Sequence, residues 1–345
     1  MRYVLMSSKL LTSDNLLLSR PKNGSTDTAF ESSMGNASVT AGGEVNFTNL
    51  PHGVAAYVAN SLSENSRRAY AADLSHFGAW GGEVPANDIT VARYLADHAD
   101  TLTVSTLARR LASLSKVHMA KGLPNPTNAE LVKATMRGIK RQHGTARAEA
   151  KPLLRDDLFM LLEKTPDNLR GARDRALLLV GFAGGFRRSE LVALNFEDVD
   201  YVKQGVVLAL RKSKTDQTGA GRKIAIPFGR SRWCPVYALD KWLNQSGIAA
   251  GPLFRPVNKH GCCLDRRLSG EAVSLIIKEH LSTAGIDPTL YSGHSLRSGF
   301  ATSAAMAGVS TWKIRQQTGH ASDAMLSRYV RDGELFVNNA ASFLV

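Results

Sequence analysis

Over residues 1–52 the apolar positions are scattered among Ser, Asn, Thr and Gly without a period. Such a stretch cannot bury enough surface to offset the entropy of ordering it, and it predicts a flexible tail. From Val54 the pattern changes. Val54, Tyr57, Val58 and Leu62, then Tyr70, Leu74, Phe77 and Trp80, recur at three- and four-residue spacing, as the apolar faces of helices do. Two further helices are predicted over 89–99 and 105–119, and a fourth over 128–141, entered through Pro124 and Pro126. Residues 53–142 therefore read as a small helical bundle.

Residues 143–152, with Gly144, alternating Ala, Arg and Glu, and Pro152, offer few apolar anchors and predict a linker. The second domain spans 153–345. It opens with helices predicted over 156–164 and 168–182, the latter carrying the apolar run Leu177 to Val180. Gly181, Gly184 and Gly185 then force a turn, and a short helix is predicted over 188–194. Residues 206–210 and 223–226 favour strands, and the polar stretch 211–222 between them predicts a hairpin with a long basic tip. From Pro235 onward the pattern is again mainly helical. The fold class that follows is mainly α with a small β component: a helical bundle followed by a mixed α/β domain.

Charge sharpens this picture. The formal net charge of +13 is unevenly placed: residues 1–60 balance, 61–150 carry +4 and 151–345 carry +9. A basic excess confined to the folded parts points to a polyanionic partner, nucleic acid before others. In the first domain Arg67, Arg68, Arg109, Arg110, Lys116, Lys133, Arg137, Lys140 and Arg141 lie in the predicted helices or at their ends. Phosphate contact is one account of them, with Arg67, Arg68, Arg109, Arg110, Lys140 and Arg141 the preferred set; a solvated surface is the other.

Cys234, Cys262 and Cys263 are too few for a disulfide framework and lack the paired spacing of a zinc site, so a reducing, cytoplasmic compartment is expected. The longest apolar stretch, 176–186, is short for a bilayer and broken by glycine, and no signal peptide or membrane partner is expected.

Chemistry concentrates in three places. Gly293-His294-Ser295-Leu296-Arg297 opens a helix, with His294 and Arg297 on one face at i and i+3 and beside the positive end of the helix dipole. An anion suits that place. Alone, the pair reads better as a capping histidine and an arginine bridged to a carboxylate. Downstream come Thr318-Gly319-His320 and, nine residues after the histidine, Tyr329. Upstream, Arg187 emerges from a glycine turn in Gly185-Phe186-Arg187-Arg188-Ser189-Glu190-Leu191.

Together these segments resemble the catalytic boxes of the tyrosine recombinase, or phage integrase, family, and the similarity covers roughly residues 55–340. The resemblance implies a SAM-like core-binding bundle and a catalytic domain of the DNA breaking-rejoining type, closing around duplex DNA. Gly185 to Leu191 matches the first box, giving Arg187 as the first catalytic arginine and Glu190 as a supporting acid. Arg188 stands where relatives carry an aliphatic residue and competes with Arg187. The family's hairpin lysine matches Lys214, with Lys212 as runner-up. His294, Arg297, His320 and Tyr329 match the remaining positions, Tyr329 as nucleophile.

The implied reaction cuts and rejoins duplex DNA through a 3′-phosphotyrosine, without metal, ATP or other cofactor. The implied task is integration or resolution for a mobile element, by a nucleoid-associated homotetramer on two DNA sites, with or without an accessory DNA-bending or directionality factor. The apolar tail at Leu335, Phe336, Val337 and Phe343-Leu344-Val345 then either packs on its own domain or docks as a C-terminal helix into a neighbouring protomer. A type IB topoisomerase-like enzyme and a non-cleaving DNA-binding protein of the same fold are the alternatives.

Overall fold

A computed structural model describes residues 61, 63–145, 150–211, 221–334 and 341. The chain divides into two compact units, Met1–Arg147 and Ala148–Val345. The helix expected around Val54 to Leu62, the lysines at 212 and 214, and the apolar tail from 335 all fall outside the described residues, positions 61 and 341 aside.

Among the described residues of the first unit four helices follow one another: α1 (Glu64–Ala79), α2 (Asp88–Asp97), α3 (Val104–Ala120) and α4 (Glu130–His143). Short polar side chains start three of them by accepting an otherwise unpaired backbone N–H: Ser63 from Ser66, Asn87 from Thr90 and Thr103 from Thr106. A 3-10 turn over Pro126–Asn128 leads into α4. Helix α1 packs on α3 and α2 on α4, around Phe77, Tyr94, Leu95, Leu107, Leu114, Val132 and Met136.

The second unit is built around α6 (Leu169–Ala183), whose run Leu177 to Val180 is buried on all sides. Before it come α5 (Arg155–Glu163) and after it α7 (Arg188–Ala193). Strands β1 (Val199–Val202), β2 (Gly205–Leu210) and β3 (Arg222–Pro227) form one antiparallel sheet in that order. The remaining helices are α8 (Pro235–Ser246), α9 (Gly270–Ala284), α10 (Ser295–Met306), α11 (Thr311–Thr318) and α12 (Asp323–Glu334). Helix α6 packs on both α8 and α10, and α10 also carries α11 and α12.

Strand β1 is absent from the sequence reading. Three of its four residues are exposed, so no buried face marks it as a strand; pairing of Val202 with Gly205 across a two-residue turn does. The expected linker also ends early. Lys151 N–H donates to the Leu290 carbonyl at 2.7 Å and Leu153 N–H to the Ser295 carbonyl at 2.9 Å, which ties 151–153 into the second unit. Among the described residues no helix is long and apolar enough to cross a membrane.

Candidate active site

After α6 the chain reverses at Gly184 and Gly185, the latter at φ +57°, where a Cβ would press on the Thr318 side chain at 2.9 Å. Buried Phe186 anchors the turn, and Arg187 becomes the residue that starts α7. Glu190, 2% exposed, reaches back to it. One carboxylate oxygen accepts the Arg187 backbone N–H at 3.0 Å and the other accepts Arg187 Nη1 at 2.5 Å. The guanidinium of Arg187 also reaches the Gly319 carbonyl at 3.4 Å. Arg188 lies exposed and turned elsewhere, with Nη1 3.3 Å from Ser274 Oγ on α9. The charge cluster around Glu190 contains Arg187 and not its neighbour.

Helix α10 starts at His294 and places Arg297 one turn on, at 1% exposure. Arg297 Nη1 donates to the Gly185 carbonyl at 2.7 Å and to the Thr318 carbonyl. Its Nε–H and Nη2–H groups are buried and meet no acceptor among the described residues. A buried donor left unmade is costly, so its presence asks for an explanation such as a ligand.

Helix α11 ends at Gly319 in the left-handed conformation, φ +67°, and the chain then delivers His320 at 6% exposure. His320 Nδ1 lies 2.7 Å from Thr318 Oγ, whose own proton goes to the Ile314 carbonyl at 2.7 Å. The hydroxyl is thus an acceptor for Nδ1–H, which leaves Nε2 unprotonated in the neutral ring. Helix α12 brings in Tyr329, with its hydroxyl 3.0 Å from His294 Nε2 and its ring centroid 5.9 Å from that of His320. Arg328 stacks 5.6 Å over the same ring.

The cations set the protonation state of the imidazoles. Desolvation first, although the residue is partly open to solvent, and then the charges of Arg297, Arg187 and Arg328 lower His294 to about 4. Burial, followed by Arg297, Arg187, His294 and Arg222, lowers His320 to about 3. Both rings are neutral at pH 7. Arg297 is itself lowered to about 10, by burial first and by Arg187 next, and remains charged. A neutral embedded imidazole beside a phenol can take its proton, and guanidiniums around them can hold an oxyanion.

Five of the six side chains expected at the centre, Arg187, His294, Arg297, His320 and Tyr329, converge together with Glu190; the sixth, Lys214, lies outside the described residues. Others around this centre were missed. Arg222, Arg315 and Gln317 hold the backbone of residues 316–321. Arg315 donates to the carbonyls of His320 at 3.1 Å and Ala321 at 3.0 Å. Gln317 donates to those of Ala183 at 2.9 Å and Ala225 at 3.1 Å. Each is a lone polar residue without a motif, so nothing in the chain signals it.

In the first unit the basic set separates. Arg68, Arg109, Lys140 and Arg141 are exposed and Arg67 is half-buried. Arg68 bonds Asn65 at 2.7 Å, and Lys140 and Arg141 sit in the last turn of α4, where cations complement the helix dipole. Arg110 departs from the expectation of a phosphate contact. It is 8% exposed, and its Nη1 donates to Tyr94 at 2.8 Å and lies 2.7 Å from His76 Nδ1, so its charge serves the interior.

Residues 151–334 match the phage integrase family. The chain is 40% identical over 290 residues to an integrase/recombinase XerD homologue of Selenomonas ruminantium, covering 81% of this chain and 85% of that one. The fold resembles a dimer of lambda integrase residues 75–356 bound to a COC′ core site, with TM-score 0.60, 18% identity, and 80% and 92% of the two chains covered. It also resembles a lambda integrase tetramer bound to a Holliday junction, with TM-score 0.57, 16% identity, and 81% and 75% covered.

Proposed function

The chain belongs to the phage integrase family and is a site-specific DNA recombinase of the tyrosine type, and from that premise we propose that Tyr329 is its nucleophile, served by Arg187, Lys214, His294, Arg297 and His320. The Tyr329 oxygen attacks the scissile phosphorus, the bond from phosphorus to the 5′ oxygen breaks, and a 3′-phosphotyrosine forms. His294 takes the phenol proton across the 3.0 Å contact. Lys214 returns a proton to the departing 5′ oxygen. A phosphotyrosine ester keeps the energy of the phosphodiester, so the 5′ hydroxyl of a new strand can reverse the step without ATP.

Negative charge grows on the non-bridging oxygens at the pentavalent stage, and Arg187 and Arg297 clamp it. Glu190 holds Arg187 in place from behind. Burial first and the cations next hold His320 neutral; the phosphate's charge offsets the cations and so favours a protonated ring that donates from Nε2. The observation that carries this reading is the pairing of the His294–Tyr329 contact with the buried Nε and Nη2 of Arg297, which meet no acceptor among the described residues.

The partner we infer is double-stranded DNA in the nucleoid, held mainly by phosphate contacts. The assembly is a homotetramer on two sites, consistent with the lambda integrase tetramer on a Holliday junction. The apolar residues after 334 are our candidates for the contact between protomers, and integration or resolution for a mobile element is the task.

The test is trapping on a nicked suicide duplex whose site is selected from a random pool by binding. Wild-type protein is expected to give a covalent protein–DNA band on a denaturing gel, in chelator and without ATP, and Tyr329→Phe none. Binding without any covalent band from the wild type would overturn the reading.

A further inference from the structure

Arg222 is the first residue of β3 and has no part in the roles above. Its guanidinium is pulled below its ordinary pKa, first by burial and then by the neighbouring charge of Arg187, with Glu190 opposing. Nη1 donates to the Gln317 carbonyl at 3.0 Å and reaches that of Gln316 at 3.5 Å; Nη2 donates to the Thr318 carbonyl at 3.1 Å. The same Nη2 lies 3.5 Å from Glu190 Oε2. One side chain thus joins the carbonyl end of α11, which leads into His320, to the carboxylate that anchors Arg187.

A simple helix cap does not account for this. The last carbonyls of a helix need donors, and a cation there also meets the negative end of the dipole. However, Arg297 already meets the Thr318 carbonyl, and the same turn is tied in place by the Gln317 side chain on Ala183 and Ala225 and by Arg315 on the carbonyls just beyond. Besides its bonds to the Gln316 and Gln317 carbonyls, Arg222 adds the tie to Glu190. Without it the carboxylate keeps Arg187 as its one close cation among the described residues and draws that guanidinium away from an incoming oxyanion.

Two features fit a clasp that the fold makes room for. A guanidinium presents a rigid fork of donors that can span a row of carbonyls and a carboxylate together, which an ammonium cannot. And Gly319 lies directly beneath: a Cβ there would sit 2.7 Å from Arg222 Cζ and 2.7 Å from Nη1. A glycine at this point permits the left-handed turn and the approach of the arginine together.

We propose that Arg222 is a positioning residue for strand cleavage, clasping Glu190 and the 316–318 backbone so that Arg187 and His320 meet the scissile phosphate as one unit. This rests on the roles proposed above for those two residues.

The test compares Arg222→Gln and Arg222→Lys with the wild type on the selected nicked duplex, reading affinity and the single-turnover rate of covalent complex at saturating protein. For Arg222→Gln the rate is expected to fall roughly 10- to 100-fold, as displacement of catalytic groups by about an ångström does. Its dissociation constant should stay within about twofold, because the bonds of Arg222 go to carbonyls and a carboxylate of its own chain. Arg222→Lys keeps the charge without the fork and should recover part of the rate.

A wild-type rate in Arg222→Gln, or a loss of affinity that matches the loss of rate, would overturn the proposal. Should Arg222→Gln not fold, Gly319→Ala displaces the guanidinium without removing it and is expected to show the same split between rate and affinity. Failure of both variants to fold would assign Arg222 to stability alone and also overturn it. A wild type that forms no covalent complex condemns the proposed function instead, so the two failures are distinguishable.

Discussion

A phenol can pass its proton to an imidazole only while that imidazole is neutral, and desolvation, with the arginine charges next, keeps His294 and His320 so. Folded values of about 4 and about 3 lie below the ordinary 6.5, so between these limits the unfolded chain binds more protons than the folded one. The stability these groups contribute is complete above pH 6.5 and is lost as pH falls towards the folded values. Calorimetry should show the second unit's melting temperature falling on acidification from pH 7 to 4. Asparagine at 320 offers the same donor to Thr318 without titrating, so His320→Asn should lessen the fall, and bound DNA should lessen it too by offsetting the arginine charges. An equal pH slope in wild type and His320→Asn would sink this account. At this scale the sequence showed what types and spacing can show. His294 and Arg297 share a helix face at i and i+3, and Arg187 follows a glycine turn. Arg222 was hidden because its partners are mostly backbone carbonyls nearly a hundred residues away.

Elements are legible where one face is buried and the other is wet. The spacing predicted helices over 89–99 and 105–119, and α2 and α3 run Asp88–Asp97 and Val104–Ala120. Strand β1, exposed at three of four positions, had no such contrast. Arg110 shows the limit in reverse. Leu107, Arg110 and Leu114 recur at three and four residues, all on the buried face of α3. The sequence reading placed Arg110 at the surface on its charge, whereas its position in the spacing puts it on that buried face. The reason is Asp73, 3% exposed on α1, which accepts Arg109 Nη2 at 2.7 Å and Ser113 Oγ at 2.8 Å and lies 3.8 Å from Arg110 Nε. Removing one partner of a buried charge leaves the other uncompensated. Asp73→Ala should therefore cost the first unit about 3 kcal/mol, seen by calorimetry as a lower transition for that unit while the second keeps its own. An unchanged first transition would mean that Arg110 finds water or His76 sufficient.

For the whole molecule, position decides what each positive charge does for DNA. The excess of +4 over residues 61–150 and +9 over 151–345 supplies a long-range attraction, yet only cations that reach phosphate release counterions. Arg110 is spent inside, whereas Lys140 and Arg141 stand exposed at the end of α4. If those two meet phosphate, the double change Lys140→Gln with Arg141→Gln should reduce the slope of log affinity against log salt by about 2, and weaken binding to specific and unrelated duplexes alike. Arg110→Gln should leave the slope alone while lowering the melting temperature of the first unit. Measuring affinity by fluorescence anisotropy across a salt series separates the two. An unchanged slope in the double variant would place Lys140 and Arg141 on a solvated face, where they balance the dipole of α4 and nothing more. A reduced slope in Arg110→Gln would mean that the interior network opens when DNA binds.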